Sequence, residues 1–263
     1  MARSSPICFI LGMSITAFKR LQNRYDPRVE RDQDHDILSH NKVTGFSVNF
    51  PIASTCQPSK VCAETCYGLT GPISWSASLA KHARNLEWVK ASPEGFADKL
   101  EKECRKLLAK DPLFFLRWNG VGDLFPESTE ALLSLNEKIP ELPIWCVTRI
   151  PGQIQPLLDK PNIWVHFSLD GDSLDRKERV DALYKSPSNL FFSFQVDKNQ
   201  SLETVPAGVS VLFFDKYKLQ GSNERFRKSA ATCPLNIATD ISNMCHQCRR
   251  CFNGEAVKMK LES

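Results

Sequence analysis

Five short apolar runs follow one another along the chain from residue 113 onward: 113–118 (LFFLRW), 143–148 (PIWCVT), 162–169 (NIWVHFSL), 190–196 (LFFSFQV) and 209–214 (VSVLFF). The stretches 127–138, 152–160 and 173–184 between them have helical character, and 201–205 reads as a turn of helix. Strands that are apolar on both faces and joined by short helical connections form parallel sheets covered by helices. An earlier segment, 43–50 (VTGFSVNF), alternates apolar and polar residues as a strand does. The expected fold is therefore α/β, with about six parallel strands in a partial β/α barrel or an open doubly wound sheet. In either form ligands bind where the C-terminal ends of the strands crowd one rim.

Two helices are expected between the first strand and the second. The stretch 74–91 places Leu79, Ala83, Leu86 and Val89 on one face. The next opens on Ser92-Pro93-Glu94, a cap residue with proline in the first turn, and runs to Lys110 with Phe96, Leu100, Leu107 and Leu108 as its buried stripe.

Cysteine placement carries the chemistry. Seven of the ten cysteines fall in two short stretches, while Cys8, Cys104 and Cys146 stand alone and read as small buried apolar residues. Directly after the first strand comes Cys56-x5-Cys62-x3-Cys66, a loop short enough for three thiolates to converge. Three ligands leave one iron of a four-iron cluster open, whereas structural zinc takes four, so a [4Fe–4S] cluster is the expected occupant. Near the end, Cys233-Pro234 and Cys245-x2-Cys248-x2-Cys251 supply four thiolates. These suit a second [4Fe–4S] cluster or a tetrahedral zinc equally, with His246 a bystander. A single site built from both sets is the other arrangement the spacing allows.

Polar residues mark the strand ends. Arg117 and Asn119 alternate at the end of the second strand, before Gly120-Val121-Gly122-Asp123. Two glycines let backbone approach a ligand, and Asp123 can accept from an ammonium or hydroxyl. Thr148-Arg149, Ser168 with Asp170, Gln195 with Asp197, and Asp215-Lys216 close the later strands, together lining a polar rim. His166, inside an apolar strand, reads as a satisfied core histidine.

Three parts are expected: an N-terminal arm (1–42), the partial barrel with its metal loop (43–220) and a cysteine-rich segment (221–263). An apolar run at 7–13 mimics a secretory core but is short, lacks a small-x-small cleavage site and leads into Lys19 and Arg20. Met13 offers an alternative start. No stretch reaches the roughly 20 apolar residues of a membrane span, and the reading is a cytoplasmic, reducing location in which clustered cysteines serve metals. The net charge of +4 permits a nucleic acid partner without demanding one. Arg225, Arg227, Lys228, Arg249, Arg250, Lys258 and Lys260 are the basic residues such a binding module would use.

Taken in order, Thr55-Cys56…Cys62…Cys66-Tyr67, Arg117…Gly122-Asp123, Trp145…Thr148-Arg149, Phe167-Ser168…Asp170 and Cys233-Pro234…Cys245…Cys248…Cys251 resemble the phage gene-product-88 family. That family is similar in layout to radical S-adenosylmethionine (SAM) enzymes, although the usual spacing of their cysteine loop is C-x3-C-x2-C. The resemblance implies that the Cys56/Cys62/Cys66 cluster chelates SAM through its open iron, with Tyr67 near the adenine and Gly120 to Asp123 near the methionine amino group. Arg117, Asn119, Arg149 and Ser168 would complete the cofactor site. It further implies an electron donor and one-electron cleavage of SAM to a radical that abstracts hydrogen from a small-molecule or macromolecular substrate. The competing class is a non-catalytic, zinc- or cluster-stabilised binding module for nucleic acid.

Overall fold

The computed structural model describes residues 35–64, 66–69, 71–184, 187–196, 202–214 and 229–255. It is a mixed α/β structure around one seven-stranded sheet: β1 (Ser39–Asn41), β2 (Gly45–Val48), β3 (Leu116–Trp118), β4 (Ile144–Thr148), β5 (Ile163–Asp170), β6 (Leu190–Val196) and β7 (Val209–Phe214). The strands lie in sequence order, with β1 antiparallel to β2 and the remaining six parallel. The sheet is open, not closed: β1 and β7 are its edges.

Helices α1 (Ile52–Thr55), α2 (Lys60–Glu64), α3 (Ser76–Ala91) and α4 (Pro93–Leu108) all lie between β2 and β3. Helix α5 (Pro126–Lys138) joins β3 to β4, and α6 (Leu174–Leu183) joins β5 to β6. The α4 start is built as its residues dictate: the Ser92 hydroxyl accepts from the Gly95 amide at 3.1 Å, and Pro93 and Glu94 occupy the first turn.

Alternation along the strands separates two faces. Leu116, Trp118, Ile144, Cys146, Val165, Phe167, Leu169, Phe192 and Phe194 join Phe96, Leu100, Cys104, Leu132 and Leu135 in the main core under the helices. Cys104 and Cys146 are thus the buried apolar fillers their isolation implied, while Cys8 lies outside the described residues. The opposite face carries Phe115, Trp145, Trp164, Phe191 and Val211, and is covered by the cysteine-rich C-terminal segment instead of helices.

Three expectations change. The arm boundary at 42 falls inside the fold: Ile37 and Leu38 are buried, their amides donate to the Glu103 carboxylate at 2.9 and 3.1 Å, and β1 follows at once. Residues 1–34, with the 7–13 run and Met13, lie outside the described residues. Second, 152–160 forms two 3-10 turns, Pro151–Gln153 and Gln155–Leu157, because Pro151 and Pro156 each remove an amide donor. Third, the buried face of α3 holds His82 and Asn85 beside Ala83 and Val89. Asn85 donates to both Ile37 and Asn49 carbonyls at 3.2 Å, tying the entering chain to the end of β2. Among the described residues no helix is long and apolar enough to cross a membrane.

Candidate metal centre

The three-cysteine loop begins where β2 ends, at the C-terminal ends of the parallel strands. Cys56 closes α1, its amide donating to Ile52 at 3.1 Å; Cys62 sits in α2, and Cys66 precedes the turn Tyr67–Leu69. The loop is fastened at several points. The Ser59 hydroxyl bonds the Asp170 carboxylate and accepts from the Cys62 amide at 3.1 Å. Val61 donates to Asp172 at 3.3 Å, and Arg176 donates to the Gln57 carbonyl at 2.9 Å.

All three thiols are half-buried and feel one another electrostatically. Burial pushes each above the ordinary cysteine range; in Cys56 the neighbouring Asp123 adds to it. The Arg149 guanidinium pulls Cys62 and Cys66 back down, and Cys66 also receives the Gly68 and Leu69 amides.

Behind the loop stands a buried ion pair. Arg149 donates to Asp170 at 2.6 Å and to the Ser168 hydroxyl at 3.3 Å, with side-chain exposures of 10% for Arg149 and 0% for Asp170. Arg149 and Ser168, expected at the rim, are thus brought together beneath the triad. Asp170 and its partner Ser59 hold them there. Tyr67 is an exposed residue whose hydroxyl donates to the Gly120 carbonyl and accepts from Arg117 at 3.0 Å.

The Gly-x-Gly-Asp loop works differently from expectation. A Cβ on Gly120 would run into Asn49 and Ser47, and one on Gly122 would meet the Phe50 carbonyl at 2.8 Å and the Thr55 hydroxyl at 2.9 Å. Gly122 also takes φ +87°, a conformation that favours glycine. The glycines therefore allow the loop to press onto β2 and α1. Asp123 is buried, accepts from Thr148 at 2.6 Å and from the Leu124 and Arg149 amides, and is pushed up to about 6 by that burial. Its carboxylate joins β3 to β4. Asn119, at φ 61°, donates to the Val147 carbonyl at 3.0 Å. Asp197, Asp215 and Lys216 lie outside the described residues.

The second set occupies the other end of the inner face. Cys233 follows a bridge from Thr232 to Leu212 on β7, and Cys245 lies in α7 (Met244–Cys248) with its amide on the Val43 carbonyl at 3.2 Å. Cys245 and Cys251 pack against Phe115, Trp145 and Phe252, while Cys233 and Cys251 pack with Phe191 and Val211. These are positions at or just before the starts of the strands. Cys233, Cys245, Cys248 and Cys251 feel one another, and burial raises Cys233 to about 12 and Cys245 to about 11. The triad follows the end of β2, whereas the second set packs on Phe115, Trp145, Phe191 and Val211, so the two sets stand apart on the sheet.

Among the described residues no three histidine, cysteine or acidic side chains stand close enough to form the shell of a single metal ion. A tetrahedral zinc would bring sulfurs to about 3.8 Å from one another, given Zn–S bonds near 2.3 Å. A four-iron cluster holds its thiolates at the corners of a larger cube. Three soft thiolate donors, amides on Cys66 and a guanidinium near Cys62 are the donor chemistry that a cluster at the triad would use.

The basic residues of the binding-module reading are otherwise engaged or undescribed. Arg249 donates to the Leu113 carbonyl at 2.7 Å and lies 4.9 Å over Phe252; Arg250 donates to Ala230 at 3.0 Å. Arg225, Arg227, Lys228, Lys258 and Lys260 lie outside the described residues. His246 pairs with Asp111 at 3.0 Å.

Asn49, Ser59, Asn85 and Arg176 escaped the sequence reading. Each is a lone polar residue whose partner lies far along the chain, as with Ser59 and Asp170. The one local signal was Asn49 closing the VNF strand end beside the cysteine loop.

Comparison with known proteins agrees with the ordered motif set. No curated protein and no solved structure matches the chain. Residues 20–254, most of the sequence, match the family described as Gene product 88. On that extent of agreement, the chain belongs to the Gene product 88 family.

Proposed function

We propose that this protein is an iron–sulfur protein of radical SAM type, with a [4Fe–4S] cluster held by Cys56, Cys62 and Cys66. The observation that carries the reading is the convergence of three half-buried thiols at the C-terminal ends of six sequentially ordered parallel strands. That is the end of a parallel β/α sheet where ligands bind. Three ligands leave a coordination position for a substrate or cofactor. When bound, the cluster would supply an electron for the reductive cleavage of SAM.

The protein's own residues do the rest. Arg149, fixed by Asp170 and Ser168, sets positive charge against Cys62 and Cys66, favouring their thiolate forms. Tyr67 presents an exposed ring beside Cys66, suited to stacking on a base. Asp123 is committed to Thr148 and backbone amides, so recognition of an amino group at the Gly120–Asp123 turn does not fit. The cofactor role narrows to Tyr67, Arg149 and Ser168. The quartet suits a second [4Fe–4S] cluster or a zinc in a supporting role.

Anaerobic purification should give brown protein with about four to eight irons per chain. The paramagnetic resonance of the reduced protein should change on adding SAM, and C62S should lose the triad's share of iron. Colourless protein carrying zinc alone overturns the cluster. A resonance indifferent to SAM overturns the SAM role and leaves an iron–sulfur protein.

A further inference from the structure

Between the two cysteine sets, the inner face of the sheet holds buried polar atoms that have no hydrogen-bond partner among the described residues. They are Arg117 Nε and Asn119 Oδ1 at the end of β3, Trp145 Nε1 on β4, both ring nitrogens of His166 on β5, and Ser193 Oγ on β6. Asn119, Trp145, His166 and Ser193 are each at most 4% exposed. Native proteins leave very few such atoms unpaired, because each costs roughly 1–3 kcal/mol. Five neighbouring residues on four adjacent strands cannot be a scatter of isolated defects.

They belong to one patch. Arg117 is in register with Trp145 and its guanidinium lies 4.9 Å over the indole. The indole stacks on His166 with centroids 5.7 Å apart, and His166 stacks on Phe213 at 5.6 Å. His166 is in register with Phe191, and Ser193 with Ser168, one inward position further along their strands. Arg117 bonds the Tyr67 hydroxyl through Nη2 and forms no ion pair with a carboxylate among the described residues. Burial, with Arg117 and Arg149 nearby, lowers His166 to about 3, so the ring is neutral and offers one donor and one acceptor.

The chemistry of an occupant follows. One unneutralised guanidinium calls for one negative charge. Trp145, one His166 nitrogen and Ser193 add donors to that anion, while Asn119 Oδ1 and the other His166 nitrogen need a donor from the guest. Phe191 and Phe213 supply flat apolar walls. We infer that the inner face between the cysteine sets binds a small organic anion that also carries a hydroxyl or N–H group, with its charge on Arg117 and its donor on Asn119 or His166. This names the substrate class of the site proposed above and rests on that reading only in calling the occupant a substrate; the side chains themselves lie outside both cysteine sets.

The test is calorimetric titration of the full chain, as purified, with 4-hydroxybenzoate and with its neutral counterpart 4-hydroxybenzamide. The carboxylate should bind and the amide should bind roughly tenfold to a hundredfold more weakly, the range expected for losing a charged hydrogen bond. R117Q should abolish that preference. S193A, which keeps the charge, should weaken both compounds severalfold and preserve the preference, with circular dichroism and the unfolding midpoint confirming that each variant folds. Equal binding of the two compounds, no heat with either, or a preference that survives in folded R117Q overturns the proposal. Iron content is measured on the same sample: an iron-free chain that prefers the carboxylate sinks the cluster reading alone, and an iron-bearing chain without the preference sinks this one alone.

Discussion

Asp170 organises the ground beneath the triad at the level of single side chains. Its carboxylate takes Arg149 on one side, Ser59 from the cysteine loop on another, and Ser173 at 3.0 Å from the start of α6. Removing one partner of a buried pair leaves an uncompensated charge. Asp170→Asn should therefore cost about 3–5 kcal/mol in urea unfolding, and it should loosen the 56–66 loop, read as faster amide exchange there. Gly122→Ala meets both a positive φ and the Phe50 carbonyl, and should cost about 2–5 kcal/mol by the same measurement. Arg149 and Ser168 were legible as candidates because polar residues at the ends of apolar strands are rare enough to notice. The true role of Asp123 was not, since nothing in Gly-x-Gly-Asp says whether its carboxylate turns outward to a ligand or inward to Thr148.

Among the elements, the C-terminal segment is the one with no helix or strand pattern to announce it. It docks through Phe252, which stacks on Phe115 at 3.9 Å and is 3% exposed. Truncating a buried aromatic of this kind costs about 3–5 kcal/mol. Phe252→Ala should show that loss in a denaturation midpoint and should expose 229–255 to limited proteolysis before the sheet is cut. The strands β6 and β7 agree residue for residue with their apolar runs, because a strand buried on both faces has no competing pattern. Strand β3 is shorter than its run: Asp111 draws the Leu113 and Phe114 amides into a turn at 2.9 Å. Strand β1 was missed because three residues carry no periodicity. Its hairpin is set by Asn41, whose side chain accepts from Val43 at 2.7 Å, and by Gly45 at φ +77°.

For the whole molecule, pH reads out the buried histidine of the helical layer. His82 is lowered to about 4 by burial, with Lys81 adding to it. Its unfolded value is near 6.5, so the unfolded chain binds the extra proton first. Stability from this residue is complete above pH 6.5 and is lost as pH falls through 4, by up to about 3 kcal/mol. Across that window His166 adds to the decline and Asp123 opposes it, so His82→Gln, compared with the parent by urea midpoints at pH 7.5, 5.5 and 4.5, should remove only the His82 share. The parallel sheet was readable from alternation alone, but the residues that pin one layer to another, such as Asn85 and Glu103, depend on partners far along the chain.

The segment that covers the inner face touches both margins of the sheet: Leu212 donates to Ala231 at 2.8 Å at one side, and Asn243 donates to the Lys42 carbonyl at 2.8 Å at the other. Both of those residues are translated after all seven strands. During synthesis the sheet and its helical layer are therefore available to fold while Phe115, Trp145, Trp164 and Phe191 still face water. A chain in which 229–255 has not yet docked therefore presents a sticky apolar face, and that segment hides it by crossing from one margin to the other.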